Sequence, residues 1–323
     1  MLQRLASTCF WLGRQAERAA HVARVCAATQ DLSIDPEPGP GAWVAACAAT
    51  GASAPPEEID GATWLICGSG NTASLVSCLR AVRENARAAR PLVGDDLWEC
   101  ANGAWMHAQP LDAQLLSERG IADTCSWAVS EIRRLHGTAQ ESLRDEAQAV
   151  YTVGVAIEHV DTAARLLAAA LAEGSIPLLA TPGTPGFRRW RWLAESAGAS
   201  HHLRRLGVPP GDLAATCAVL VTAERSPRSL ASAVGELRAA LNHLGGQAAV
   251  DRAAGLSLPD AGPGADLHAQ LLKLLTANNT VSAGLQADAF LLEVPSAGSE
   301  HSAARQNQRQ LRGTDLPVAK ETP

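Results

Sequence analysis

Phe10–Ala28, FWLGRQAERAAHVARVCAA, decides how the chain is read, because a related stretch, Tyr151–Ala169, YTVGVAIEHVDTAARLLAA, returns 141 positions later. At about 100° per residue, Leu5, Cys9, Leu12, Ala16, Ala20, Ala23 and Ala27 form an apolar stripe. Gly13, Glu17 and Arg24 lie along one edge of it, and Gly154, Glu158 and Arg165 lie on the matching ridge of the second stretch. A glycine inside a helix costs about 1 kcal/mol relative to alanine. Its presence at the same place twice points to something packed closely against the backbone there. Glutamate and arginine beside a core stripe are costly unless paired. The first expectation is therefore a buried salt-bridge lock between helices, with a ligand or catalytic site as the alternative.

Two further blocks repeat in the same order. Trp43-Val44-Ala45 with Ala48 is echoed by Trp192-Leu193-Ala194 with Ala197, at an offset of 149. Asn71 to Ser77 with Arg83 is echoed by Ser226 to Ser232 with Arg238, at an offset of 155. Offsets that grow slowly across ordered blocks are what a duplication with small loop insertions leaves. The fold expected is all-α, an internally duplicated helical bundle with pseudo-twofold halves. The domain would span 1–294, with a first half of about 1–138 and a second of about 139–294, followed by a disordered tail over 295–323 that has no apolar period.

Composition agrees with a helical reading. The 323 residues include one Tyr and three Phe. Alanine and leucine dominate the chain, without apolar/polar alternation of the strand type. A net charge of −6 argues against a nucleic-acid partner. Only Lys273 and Lys320 are lysines, so arginine carries the positive charge. Eight scattered cysteines without a CxxC pair read as small core residues in a reducing cytoplasm. The longest apolar runs fall far short of the roughly 20 residues that span a bilayer, so no membrane partner is expected. Helices are expected to about Gln30, at 43–49, from caps at Asn71 and Ser226, and at about 95–107, 112–136, 139–173, 188–205, 227–244 and 265–294.

The opening MLQRLASTCFWLGRQAERAAHVAR, NTASLVSCLRAVRENARAAR at 71–90, LWECAN at 97–102 and LRDE at 143–146 resemble the alpha-E domain family of bacterial helical proteins. The resemblance covers most of 1–294. It implies association with circularly permuted ATP-grasp ligases and transglutaminase-like proteins, and a role in peptide ligation or tagging. The family has Gly-Arg-Tyr in both ridges and an arginine after each glutamate. This chain reads Gly13-Arg14-Gln15 and Gly154-Val155-Ala156, with Arg18 after Glu17 but His159 after Glu158. It also lacks the aromatic pair that closes the family's last helix.

Candidate chemistry is sparse. Glu17 and His21 have the spacing of two metal ligands on one helix, but Thr162 replaces the histidine in the second stretch, and no metal or cofactor is expected. His201-His202 read as loop histidines, and no nucleophile elbow or phosphate loop appears. Arg80, Arg83, Arg87 and Arg90 share one helical face that suits either a carboxylate- or phosphate-bearing ligand or plain solvation beside Glu84. Only Arg83 recurs, as Arg238. Two functions stay open. The preferred one is a non-catalytic cytoplasmic scaffold that docks an ATP-grasp ligase or its peptide substrate, with Arg24, Arg165, Arg83, Arg238, Arg80 and Arg87 as binding candidates. The other is an enzyme, or the substrate-binding subunit of an amide-forming complex, using Glu17, Glu158, Asp145 and Glu146 as acid/base groups. The ridge geometry leads to one further expectation: Glu17 and Arg24, seven residues apart, lie too far apart to pair, so each glutamate meets the other helix's arginine, Glu17 with Arg165 and Glu158 with Arg24.

Overall fold

In a computed structural model, which describes residues 3–33, 41–172, 179–244, 247–262 and 265–288, every regular element among the described residues is a helix. The apolar stripe of the first stretch lies in α1, Gln3–Ser33, where Cys9, Phe10, Leu12, Ala16, Ala19, Val22 and Ala23 are fully buried. Then come α2, Ala42–Thr50; α3, Gly61–Ile66; α4, Leu75–Ala88; α5, Arg90–Ala108; α6, Ala113–Arg119; and α7, Ile121–Ser142. The second stretch lies in α8, Asp145–Leu171. It is followed by α9, Pro185–Ser196; α10, Ser200–Arg205; α11, Leu213–Thr222; α12, Leu230–Leu244; α13, Gln247–Ala254; and α14, Leu267–Asp288.

α1 and α8 pack on each other at the centre. α4 and α7 lie against α1, while α12 and α14 lie against α8. α2 reaches across to α8 and α9 reaches across to α1. Small side chains let these helices approach closely, so the interior is filled by alanine, leucine and valine, with seven of its cysteines buried among them. All eight cysteines are free thiols, and burial pushes Cys9 and Cys78 up to about 12. None of the helices among the described residues is long and apolar enough to cross a membrane.

Several boundaries differ from the sequence expectation. The caps of α4 and α12 are Ser74 and Ser229, whose hydroxyls accept from Ser77 N and Ser232 N, three residues after Asn71 and Ser226. Asn71 instead holds the preceding turn, accepting from Ala73 N and donating to Trp64 O. The stretch 112–136 is two helices, because Gly120 takes φ 85°, a left-handed conformation that stops α6 and redirects the chain into α7. α5 is bent at Gly94, with φ 74°. α8 starts at Asp145 rather than 139, since Leu143 and Arg144 are extended. The stretch 188–205 is likewise divided into α9 and α10, so His201 and His202 sit on a helix. α3, α11 and α13 lie outside the helices expected from the sequence. α11 reads LAATCAVLVT, apolar on nearly every face and hence without a helical period. The proline-rich segment 34–40 and the tail 295–323 lie outside the described residues.

Candidate functional site

The two ridge glycines mark the crossing of α1 and α8. A Cβ on Gly13 would stand 2.3 Å from the Tyr151 carbonyl oxygen, and one on Gly154 would stand 2.1 Å from that of Phe10. Each glycine thus accepts the backbone of the other helix in the space a side chain would fill.

That contact brings Glu158 against α1. Arg14 donates through Nε at 2.8 Å to Glu158 Oε2, with its Nη2 2.7 Å from the same oxygen, and Arg18 donates through Nε at 2.5 Å to Oε1. Arg14 Nη1 also donates to Ser282 Oγ of α14 at 3.0 Å, and its guanidinium lies 5.2 Å from the Trp11 ring. Asn278 on the same helix donates to the Ile157 carbonyl at 3.0 Å. The Glu158 side chain is 1% exposed, so the charges are desolvated and depend on one another. Burial lowers the tendency of Arg18 to stay protonated, and the adjoining carboxylate of Glu158 more than reverses that.

Glu17 is held differently from the sequence expectation. Its Oε1 accepts from Arg24 Nη2 at 2.9 Å and from Arg228 Nη1 at 3.0 Å. The expected reciprocal pairs, Glu17 with Arg165 and Glu158 with Arg24, do not form. Residues seven apart stand nearly above one another, and helical side chains lean toward the N-terminus. The long Arg24 side chain therefore reaches back to Glu17, closing an axial gap of about 10.5 Å. Arg165 turns to Asp161 in its own helix, at 2.7 and 3.2 Å. A reciprocity does exist, through other neighbours. A Cβ on Gly51, just after α2, would meet Arg165 Nε at 3.3 Å, and one on Gly198, just after α9, would meet Arg24 Cδ at 3.3 Å. Each ridge arginine thus lies by a helix C-terminus, where a cation is favoured.

Burial alone would raise the Glu17 carboxyl, but the Arg24 and Arg228 guanidiniums together hold it well below the usual range. Burial, then the Arg228 charge, pushes Arg24 down to about 10 despite its bond to Glu17. One carboxylate shared by two guanidiniums leaves the cluster short of negative charge. His136 Nε2 stands 3.6 Å from Glu17 Oε2, beyond a hydrogen bond, and its Nδ1 is 2.7 Å from the Tyr151 hydroxyl. Burial keeps that phenol protonated and therefore able to donate to Nδ1.

Two histidines line a cavity of about 20 Å³ next to this cluster, with Arg24, Ser196 and Arg228. Burial and Arg24 push His21 down to about 3, and burial is the main cause that pushes His159 down to about 4. Neutral His21 donates from Nε2 to the Ala49 carbonyl at 3.0 Å. Ser196 Oγ and Arg24 Nε are buried without a hydrogen-bond partner among the described residues. A wider cleft of about 320 Å³ opens on the other side of Arg24, between α1 and α7.

The remaining candidates do not join this cluster. Arg83 donates to Asn102 Oδ1 at 2.9 Å and to Glu84 at 2.5 Å, over the Trp98 ring; Arg87 also binds Glu84, and Arg80 is exposed. Arg238 donates to the Leu256 carbonyl at 3.0 Å. Asp145 opens α8, its side chain outside the described residues, and Glu146 is half-buried beside it. No group of three or more His, Cys, Asp or Glu among the described residues is placed to hold a metal. Sequence reasoning missed Arg228, His136, Ser196 and the bonding roles of Arg14 and Arg18. For Arg228 a signal existed, since it lies in the repeated block that begins at Ser226.

Chemically, the arrangement fixes charge rather than moves it. Glu158 has both oxygens engaged, and Glu17 stays ionised near neutral pH, so neither is set up as a general acid. A family described as a predicted alpha-helical domain with a conserved ER motif matches residues 1–290. No curated protein and no solved structure matches the chain.

Proposed function

Because the chain belongs to the Alpha-E family, we propose that it is a non-catalytic helical scaffold working in the cytoplasm with an ATP-grasp type peptide or amide ligase and a transglutaminase-like protein. The observation that carries this reading is the sealing of both ridge carboxylates: Glu17 and Glu158 are 6% and 1% exposed, and each is gripped by two arginines. An acid/base group needs access to substrate, and both carboxylates are sealed from it. The dipeptide Glu17-Arg18 supplies both members of an ER motif, one to each lock, with Arg18 reaching Glu158 and Glu17 receiving Arg24 and Arg228.

The same reading includes an internal duplication with pseudo-twofold halves. Its support is the mutual approach of Gly13 and Gly154, the serine caps Ser74 and Ser229 at an offset of 155, and the placement of Arg24 by Gly198 and Arg165 by Gly51. The ridges have diverged, since Glu158 is satisfied across the crossing and Glu17 by its own helix and Arg228. A second reading, a substrate-binding subunit of a peptide-modifying complex, is favoured by the cleft beside Arg24.

Co-purification with the products of neighbouring genes, followed by an assay of ATP-dependent amide formation with and without the chain, tests the proposal. The expected result is a stable complex in which the chain raises the ligase's rate and is inert alone. Amide formation by the chain alone, abolished by Glu17→Gln in a folded variant, would overturn it.

A further inference from the structure

The cavity of about 20 Å³ beside Glu17 is lined by Arg24 of α1, Arg228 of the turn before α12 and Ser196 of the last turn of α9, together with His21 and His159. Ser196 is fully buried, and its hydroxyl, like Arg24 Nε, has no hydrogen-bond partner among the described residues. The two guanidiniums converge here. Each places an Nη on the same Glu17 oxygen, at 2.9 and 3.0 Å, and each has its Nε 4.0 Å from where a Cβ on Gly198 would stand. The carbonyls that end α9 do not serve them, because Gly198 N donates to Glu195 O at 2.8 Å and Ala199 N to Ala194 O at 2.9 Å. Buried donors without an acceptor are rare in folded proteins.

We propose that this cavity binds one chloride-sized monovalent anion, held by Arg24 Nε and the Ser196 hydroxyl and balancing the second guanidinium. Charge selects an anion. Two guanidiniums share one carboxylate, and burial keeps His21 and His159 neutral, at about 3 and about 4, so the cluster carries one positive charge in excess. Asp161, whose charge reaches His21, is matched by Arg165, while Arg133 adds a further positive charge near Arg24. A charge held away from water is costly unless it is matched. Burial and Arg228 already push Arg24 down to about 10, and a bound anion would relieve that repulsion. A water would accept from the two donors yet leave the charge unmatched. Hydrogen bonding selects the same ligand, since a guanidinium Nε can donate but not accept, and a serine hydroxyl can turn to donate beside it. Size selects the ion. A single water needs about 10–15 Å³, so a cavity of about 20 Å³ admits one monatomic anion and excludes a carboxylate or phosphate. The inference rests on this cavity and not on the scaffold reading.

Urea unfolding of the full chain at neutral pH, in sodium chloride against sodium gluconate at equal ionic strength, tests it, because gluconate is too large for the cavity. The unfolding constant should fall about tenfold or more on going from gluconate to about 300 mM chloride, with a limiting slope of one ion per chain. Ser196→Ala should weaken the apparent chloride affinity about threefold or more. The readout is the chloride-dependent part of stability, so a change in the variant's stability in gluconate does not enter it. In crystals of the parent chain grown with bromide, an anomalous scatterer should lie between Arg24 Nε and Ser196 Oγ. Equal stability in the two salts, an undiminished chloride response in Ser196→Ala, or bromide at adventitious surface positions alone would overturn the proposal. If it fails while the chain still co-purifies with a ligase, this inference falls and the scaffold reading stands.

Discussion

Gly154→Ala should be among the most damaging single-methyl additions in the chain. A Cβ there would lie 2.1 Å from the Phe10 carbonyl oxygen, 3.0 Å from its carbon and 3.2 Å from Arg14 N. All three are backbone atoms of α1, so no side chain can rotate away. Ordinary contact begins near 3.4 Å, so the two central helices must part by roughly 1 Å, losing dispersion contacts along the seam. The same movement stretches the bonds that Arg14 and Arg18 make to Glu158. In an unencumbered helix the change would gain about 1 kcal/mol from propensity. Overpacking of a dense core costs about 1–3 kcal/mol, and the loosened ion pairs add to that, so a net loss of about 3 kcal/mol is expected. Gly137→Ala in α7 is the control, since nothing lies within 4 Å of its Cβ. Urea unfolding followed by far-ultraviolet circular dichroism should show a lower midpoint for Gly154→Ala and an equal or higher one for Gly137→Ala, with unchanged slopes. Equal stabilisation by both substitutions would refute the close crossing.

Other consequences follow from the ion pairs and buried histidines. Glu17→Ala with Arg165→Ala should be additive within about 0.5 kcal/mol, because Arg165 belongs to Asp161, whereas Glu17→Ala with Arg228→Ala should show coupling above about 1 kcal/mol in a double-mutant cycle. Stability should fall as pH drops from 6.5 toward 4, since the unfolded chain protonates His21 and His159 while the folded chain, with these pushed to about 3 and about 4, does not. The steepest slope is about 1.4 kcal/mol per pH unit for each histidine. Glu17, held low in the fold, adds a further loss below pH 4.5. His21→Gln should flatten the profile by one histidine's share, and a stability constant between pH 7 and 5 would contradict it.

The sequence was informative where a rule concerns one helix and silent where a rule concerns several. The paired glycines announced the crossing of α1 and α8, because a helix tolerates glycine in its interior only for a reason such as close approach. Axial rise alone puts Arg24 out of reach of Glu17, and the length and N-terminal lean of the Arg24 side chain close that gap. Arg228 and Glu17 are 211 residues apart, and His136 reaches Glu17 from α7, so no local period could reveal either. Breaks at Gly120 and Gly198 are hidden because alanine and leucine continue the apolar period through them. α11 was lost for the opposite reason, having apolar residues on every side.

On the scaffold reading proposed above, the ridge carboxylates hold helices together rather than react. Urea unfolding of Glu158→Gln, Arg14→Leu and a Glu158→Gln/Arg14→Leu double variant is the deciding measurement. Glu158→Gln should strand Arg14 and Arg18 at a cost of about 3–5 kcal/mol, and the double variant should lose much less than the sum of its singles. A Glu158→Gln protein as stable as the parent, or singles that simply add, would contradict it and return Glu158 to the groups that act on a substrate.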